Sequence, residues 1–284
     1  MVSTGIPTPV EMKRPLLGWL IHDGAVVTQR NLIAMMRVPE VVFFSLVQPV
    51  IFVLLFAYVF GGAIPIPGAD PEAGAAAYRE YLMPGIFGQT VAFAAAASTV
   101  GLAEDMSKGI IDRFRSLPMT ASAVLFGRTA SDAIRQVLVL TVLSITGFIV
   151  GWRIHNGVVD AAAAYLLLLL FAYTVSWIGC WIGLHMRNTE TANTAGLAWL
   201  FPLTFLSNAF VPLTGMPKVV QTIAEWNPVS SLVLSCRQLF GNPTGIIGDT
   251  WAQQHAIAYT VISCTVLIAI FATLAVRKYR QTAS

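Results

Sequence analysis

Six long apolar stretches follow one another along the chain, separated by segments that carry the charged residues. Each stretch is at or near the roughly 20 residues that a helix needs to cross the hydrocarbon core of a bilayer. None contains Asp, Glu, Lys or Arg, as expected where burying a charge in hydrocarbon is unfavourable. The pattern predicts an all-α membrane protein with six transmembrane helices, at residues 41–60, 82–103, 136–152, 161–184, 192–213 and 256–276.

Composition also favours a membrane protein over a soluble one. The 284 residues are 56% hydrophobic and only 11% charged, with a mean hydropathy of +0.71. One soluble domain of this length does not have enough interior to bury so much apolar surface. The net charge of +3 is too small to indicate binding to nucleic acid. The first ten residues lack the features of a cleaved signal peptide, so the first span is expected to direct insertion.

Basic residues are distributed unevenly between the connections. Thirteen of the seventeen Lys and Arg residues lie in the N-terminal segment, the second and fourth connections and the C-terminal tail. The positive-inside rule therefore predicts a multi-pass protein of the cell membrane with both termini in the cytoplasm. An even number of spans agrees with this orientation.

The segment before the first span mixes apolar and charged residues and ends near Pro39. It predicts an interfacial helix on the inner leaflet over residues 12–39, with a loosely ordered tail as the alternative. The chain is accordingly divided into a cytoplasmic tail with this helix (residues 1–40), a transmembrane domain (41–276) and a second cytoplasmic tail (277–284).

Motifs for catalysis or energy conversion are absent from the sequence. None of the four lysines follows a glycine, which excludes a GxxxxGK[ST] phosphate-binding loop. The predicted spans hold no carboxylate for proton coupling, and the histidines and cysteines lack the spacing of a metal site or a disulfide framework. Ser176 with His185 is the pairing that a membrane-embedded enzyme would use, and helix packing is the alternative role of that serine. The chain is therefore predicted not to be an enzyme and to hold no metal.

The inner connection LAEDMSKGIIDRFRSLPMT, residues 102–120, carries the most information. As one helix it places apolar residues on one side and charged residues on the other, with Glu104 and Lys108 spaced as an ion pair. Pro118 then ends the helix. Two interpretations follow: a protruding helix that docks in a groove of a soluble partner, or charges that only hold the loop inside. The apolar side comprises Leu102, Met106, Ile110, Phe114 and Leu117.

Several segments resemble one family in the same order along the chain. DMSKGIIDRFRSLPM resembles the inner-loop signature of ABC-2 permeases, in particular the daunorubicin/doxorubicin exporter permeases of actinobacteria. The segments RVPEVVFFSLVQPVIFVLLFAYVFGGA, YLMPGIFGQTV, FPLTFLSNAFVPLTGMP and WNPVSSLVLSCRQLF resemble the same family. Together they cover most of residues 37–240, whereas the first outer loop and both tails match poorly.

The resemblance implies a permease that pairs with a second copy or a paralogue and with two copies of a separate ATP-binding cassette ATPase. That ATPase would bind ATP and Mg, and this chain would hold no cofactor. The resemblance also implies a cytoplasmic coupling helix that contacts the ATPase and short re-entrant outer helices between spans five and six. Asn227 followed by Pro228 has the pattern of an N-cap and first-turn proline, and Met216 and Pro217 would lie in the preceding turn. The implied coupling residues are Glu104, Asp105, Lys108, Gly109, Asp112, Arg113, Phe114 and Arg115.

Contacts to a transported compound are expected from polar and aromatic residues in the spans. Aromatic rings offer flat apolar surfaces suited to a planar amphipathic molecule, although each of these residues can equally serve helix packing. The candidates are Phe44, Gln48, Gln89, Phe93, Phe205 and Asn208.

The sequence and the resemblance together lead to one expected function. The chain is expected to be the permease subunit of an exporter that moves a hydrophobic drug-like or lipid-like compound out of the cell, in contact with membrane lipids. The alternatives are export of a lipid-linked glycan, a membrane scaffold for a soluble partner, and a membrane-embedded enzyme.

Overall fold

The computed structural model describes residues 16–60, 64–68, 74–111, 121–186 and 188–281, and the regular structure in these ranges is helical. Helices α1 (Leu16–Met36), α2 (Pro39–Val59), α3 (Gly74–Ser107), α4 (Ala121–Val150) and α5 (Val158–Gly183) come first. They are followed by α6 (Thr189–Phe205), α7 (Lys218–Glu225), α8 (Pro228–Phe240), α9 (Trp251–Gln254) and α10 (Ala256–Gln281). The all-α prediction is therefore confirmed for the described residues.

Four of the described helices are long and apolar enough to cross a membrane: α3, α4 from Ser122, α5 and α10. Helix α2 is also strongly apolar, and its described side chains from Phe43 to Val59 form a shorter apolar helix. A soluble domain of this size cannot bury repeated apolar helices of this length. The chain is a multi-pass membrane protein.

Two helices differ from the predicted spans in where they begin or end. Helix α4 begins at Ala121 rather than at residue 136, because its first half carries Arg128, Asp132 and Arg135, and a stretch chosen for the absence of charge starts only after them. Helix α6 ends at Phe205, so the helical span predicted to continue to residue 213 is wrong. Pro202 lies inside α6 and cannot donate to the carbonyl one turn earlier, which weakens the helix near its end. The backbone after Phe205 is instead held by side chains from other helices.

The continuous helix predicted over residues 102–118 is also wrong. Helix α3 ends at Ser107, and Lys108 and Gly109 form a turn before the chain becomes helical again at Ile110 and Ile111. Gly109 has a φ of +66°, a left-handed conformation that glycine adopts without the penalty of a side chain. The inner segment therefore changes direction at Gly109.

Helix α3 lies at the centre of the main apolar core and packs against α5, α6, α8, α2 and α4. Its contact with α5 requires glycine at two positions. A Cβ on Gly179 would lie 2.3 Å from the carbonyl oxygen of Ala95, and one on Gly183 would lie 2.7 Å from that of Thr99. Small residues of this kind let two helix backbones approach closely inside a membrane.

Helix α1 packs along the first half of α4. The Oγ1 atom of Thr28 donates a hydrogen bond to the Gly127 carbonyl at 3.1 Å, and Asn31 donates to Ser131 at 3.3 Å. A Cβ on Gly127 would lie 2.6 Å from the Gly24 carbonyl oxygen, so this contact is also backbone to backbone. The N-terminal segment is thus a docked helix from Leu16 to Met36 rather than a loosely ordered tail over that range.

Candidate functional site

Five charged residues meet at the end of α3 that leads into the inner segment, and we call them the inner charge cluster: Arg30, Asp105, Arg128, Asp132 and Arg135. Asp105 is at its centre. One carboxylate oxygen of Asp105 accepts from Arg30 of α1 at 3.1 Å and the other accepts from Arg128 of α4 at 2.9 Å. The Asp105 side chain is only 15% exposed. One carboxylate therefore joins three helices.

The cluster continues from Arg128 to a second buried acid on α4. Asp132 lies 3.9 Å from the guanidinium of Arg128 and 3.8 Å from that of Arg135, measured between the nearest nitrogen and oxygen atoms. Ser98 of α3 donates a hydrogen bond to the same carboxylate. Both acids thus have partners, as buried charges require: Asp105 binds bases on two other helices, and Asp132 lies near two bases of its own helix and accepts from Ser98 of α3.

The structure describes four of the predicted coupling residues, and they are placed in three different ways. Glu104 and Lys108 form the predicted ion pair on the exposed side of the helix end, and the carboxylate raises the pKa of the Lys108 ammonium by hydrogen bonding to it. Asp105, expected on the same polar side, is turned inward instead. Gly109 forms the turn described above. Four predicted residues lie outside the described ranges: Asp112, Arg113, Phe114 and Arg115.

Sequence reasoning did not single out Arg128 and Asp132 as a site. They lie in the charged connection before the predicted third span, where Arg128 counted only toward membrane orientation and Asp132 was given no role. The available signal was their helical spacing: Arg128 and Asp132 are four residues apart, and Asp132 and Arg135 are three apart. No sequence pattern indicated that Asp105 would complete the cluster.

On the other side of the molecule, the segment after α6 is held by one buried arginine. Arg237 of α8 is fully buried. It donates to the carbonyls of Tyr81 and Asn208 at 2.9 Å and of Ala209 at 3.2 Å. Its guanidinium carbon lies 3.4 Å from the centre of the Tyr81 ring, a cation–π contact. Arg237 therefore binds backbone carbonyls that the end of α6 leaves without helical partners.

The residues predicted to form an outer turn are placed around α7 and α8. Met216 follows a short 3-10 turn and Pro217 precedes α7. Asn227 caps α8 by accepting from the Val229 amide at 2.9 Å, and Pro228 is the first residue of that helix. The Asn227 amide group also donates to the carbonyls of residues 203 and 206 near the end of α6, at 2.6 and 2.8 Å.

The apolar part of α8 is buried in the protein rather than placed in water. Val229, Leu232 and Val233 are fully buried, and the helix packs against α3, α5 and α10. Cys236 and Phe240 on the same helix belong to the main apolar core. Helix α8 is therefore an integral part of the helical bundle.

Aromatic side chains form a continuous row across α3, α6 and α2. Phe93 contacts Phe201 with ring centres 5.5 Å apart, Phe201 stacks on Phe205 at 5.9 Å, and Phe205 meets Phe210 at 5.7 Å. Phe210 then stacks on Phe56 of α2 at 4.7 Å. Phe201 and Phe205 are each 48% exposed, so the middle of the row is an open apolar surface.

The candidate pathway residues are brought together only in part. Phe93 and Phe205 both contact Phe201 and so lie in the same row. Phe44 and Gln48 are exposed on α2, whereas Gln89 is buried on α3. The Asn208 side chain is buried, and its backbone carbonyl accepts from both Arg237 and the Tyr81 hydroxyl.

The pairing proposed for a membrane-embedded enzyme is not formed. The Ser176 hydroxyl is buried and donates to the Ala172 carbonyl at 2.9 Å. The His185 ring lies at the end of the same helix, 2.8 Å from the Trp181 carbonyl. In the ranges that the structure describes, no group of three His, Cys, Asp or Glu residues is arranged to hold a metal ion.

Residues 24–240 match the family model described as ABC-2 type transporter. The chain belongs to the ABC-2 type transporter family. This ABC-2 permease is 31% identical over 252 residues to the daunorubicin resistance ABC transporter permease protein DrrB1 of Streptomyces coeruleorubidus, an alignment that covers 89% of this chain and 84% of that protein.

More distant relatives agree with the family assignment. The ABC-2 permease is 24% identical to the doxorubicin resistance ABC transporter permease protein DrrB of Mycobacterium tuberculosis, with 80% of this chain and 79% of that protein covered. It is 26% identical to the inner membrane transport permease YadH of Escherichia coli, with 69% and 75% covered. The protein is therefore an ABC-2 permease homologous to drug-resistance exporter permease subunits.

Proposed function

We propose that this permease is the membrane subunit of an exporter that moves a hydrophobic drug-like or lipid-like compound out of the cell. A separate cassette ATPase, present in two copies, would bind and hydrolyse ATP with Mg, and a second permease copy or a paralogue would complete the membrane part. The observation that carries this proposal is the geometry at the inner end of α3. There a segment that resembles the ATPase-contacting loop of the family begins beside a charge cluster that joins three helices.

The proposed layout has six spans, α2 to α6 and α10. Both termini lie in the cytoplasm, α1 lies at the inner interface, and α7 and α8 re-enter the membrane from outside. The packing of α8 against α3, α5 and α10, three of the proposed spans, supports the re-entrant placement. The excess of Lys and Arg on one set of connections supports the orientation.

The inner segment from Glu104 to Arg115 is proposed to contact the ATPase. Its exposed ion pair Glu104–Lys108 and the change of direction at Gly109 are consistent with a segment that protrudes from the spans. Motion of the ATPase would then act on the end of α3.

The aromatic row is proposed as part of the route of the compound, or of the contact with the second permease copy that encloses this route. Its open middle is formed by Phe201 and Phe205 rather than by polar side chains. Flat apolar rings suit a planar hydrophobic compound better than a glycan, which needs many hydrogen-bond partners. The row therefore favours a hydrophobic substrate over a lipid-linked glycan.

The test is ATP hydrolysis in lipid nanodiscs. The permease is copurified with candidate cassette ATPases from the same genome, and hydrolysis is measured with anthracycline-like drugs, with membrane lipids and without additions. Stimulation by a drug or a lipid, together with its transport in vesicles, is the expected result. A stable complex in which no compound changes hydrolysis would contradict the exporter and favour a scaffold.

A further inference from the structure

The two adjacent acids at the end of α3 face different surroundings. Glu104 is half exposed and pairs with Lys108 one turn later in the same helix end. Asp105 is turned into the bundle and binds Arg30 of α1 and Arg128 of α4 at once. Only the contacts of Asp105 link separate helices.

Both contacts of Asp105 are short, and the one with Arg128 is shielded from water. The Asp105 side chain is 15% exposed and that of Arg128 is 17% exposed, so bulk water screens their interaction much less than it screens an exposed pair. The charges alternate in sign from Arg30 through Asp105, Arg128 and Asp132 to Arg135, so each acid lies between two bases. Such an arrangement resists separation of any two of the three helices that it joins.

Gly101 is the feature of α3 that lets Arg128 reach Asp105. A Cβ at position 101 would lie 1.5 Å from a terminal nitrogen of the Arg128 guanidinium, so any larger residue would displace that group. A glycine inside a helix is otherwise unfavourable relative to alanine. Glycine at position 101 therefore leaves room for the Arg128 guanidinium and does not stabilise the helix.

We propose that Asp105 is a positioning residue for transport: it makes α1 and α4 follow the end of α3 when the inner segment is displaced. This inference rests on the proposed function, in which the ATPase acts on that segment. Asp105 lies about one turn before Gly109, where the segment changes direction, so a displacement reaches the carboxylate before it reaches the middle of α3. Without the carboxylate, α3 moves alone and hydrolysis no longer drives transport.

Two variants test this in the full complex. Asp105→Asn removes the charge without changing the size of the side chain. Gly101→Ala keeps every charge but moves the Arg128 guanidinium away. The matched controls are Asp160→Asn, at an exposed residue in the first turn of α5, and Gly157→Ala, where the added Cβ meets nothing within 4 Å.

The decisive quantity is the amount of compound transported per ATP hydrolysed in nanodisc-derived vesicles. Both variants are expected to lower this ratio by about tenfold, a change typical of coupling between sites. Complex formation should stay close to that of the controls, whereas Asp105→Asn is also expected to lower the thermal midpoint of unfolding, because Arg30 and Arg128 lose their shared partner. A normal ratio in Asp105→Asn would overturn the proposal, since a merely structural role would change the thermal midpoint and leave the ratio unchanged.

A second measurement separates this inference from the proposed function. Spin labels at the exposed positions Gln29 and Ser107 report the distance between α1 and the end of α3. The distance distribution should be narrow in the wild-type protein and broader in Asp105→Asn. Equal widths would overturn the positioning role even in a complex that transports nothing, whereas absence of transport by the wild-type complex would contradict only the exporter assignment.

Discussion

Arg237 lies against the ring of Tyr81 and donates to the carbonyl of the same residue, so one side chain on α8 holds both the ring and the backbone of one residue on α3. The same guanidinium also binds the Asn208 and Ala209 carbonyls beyond the end of α6. The described partners of this buried cation are a ring and three carbonyls, with no carboxylate among them. Its role is to satisfy backbone groups in the interior of the helical bundle, where each unsatisfied carbonyl is unfavourable.

Replacing this arginine should destabilise the protein strongly. Arg237→Met removes the hydrogen bonds that this side chain donates to three buried carbonyls, of which the Asn208 carbonyl keeps the Tyr81 hydroxyl as a donor, and we expect a loss of about 3 kcal/mol. Arg237→Lys should give an intermediate loss, because an ammonium group lacks the planar fork that reaches several carbonyls. Thermal unfolding in detergent measures both. Lys218→Met, at the exposed start of α7, is the control, and equal midpoints for it and Arg237→Met would contradict the prediction.

The two functions of Asn227 can be separated by substitution. Asn227→Asp keeps the oxygen that caps α8 but loses the donor to the carbonyls of residues 203 and 206. Asn227→Ala loses both contacts. We expect Asn227→Ala to cost about 2–4 kcal/mol, from one cap and two buried hydrogen bonds, and Asn227→Asp to cost no less although it keeps the cap, because a buried carboxylate oxygen would face two carbonyl oxygens.

Asn188 provides the comparison for this series. It caps α6 by accepting from the Thr191 amide at 2.7 Å, and it is exposed. Asn188→Ala should therefore cost only about 1 kcal/mol. If the two alanine variants unfold at the same temperature, the additional role of the Asn227 amide is wrong.

Reversing the basic charges of the inner segment should uncouple transport. Arg113→Glu with Arg115→Glu should leave membrane insertion intact and abolish both transport and substrate-dependent stimulation of the ATPase, because the proposed contact would be electrostatically mismatched. Efflux and hydrolysis in vesicles are the readouts. Lys218→Glu, a charge reversal on α7, is the control, and normal stimulation in the double variant would refute the assignment of this segment.

Substitutions in the aromatic row should separate effects on the response to a drug from effects on folding. Phe201→Ala and Phe205→Ala remove half-exposed rings, and we expect a changed concentration dependence for drug stimulation with little change in thermal stability. Phe210→Ala removes a ring that is only 6% exposed, and we expect a loss of about 3–5 kcal/mol. Identical drug responses in the wild-type protein and both exposed variants would exclude these rings from the route.

Hydropathy predicted the apolar helices because length and the absence of charge are properties of each segment by itself. The N-cap pattern at Asn227 and Pro228 was visible for the same reason, since both groups act on the backbone next to them. The inner charge cluster could not be predicted from the sequence. Its members come from α1, α3 and α4, and their proximity depends on how these helices pack. Asp105 shows the limit most clearly: a helical wheel places it beside Glu104 on the polar side, whereas its carboxylate lies between two other helices.

The close contact of α3 and α5 at Gly179 and Gly183 affects how mutational data on this protein should be interpreted. A side chain at either position would overlap the facing backbone, so nearly every substitution there is expected to disrupt the packing of the two helices. Under the proposed function, a screen for loss of export would thus mark two residues that pack helices and do not contact the compound. Substitutions at these residues disturb the packing of α3 against α5. Measuring the amount of folded protein in the membrane distinguishes such residues from those that contact the compound.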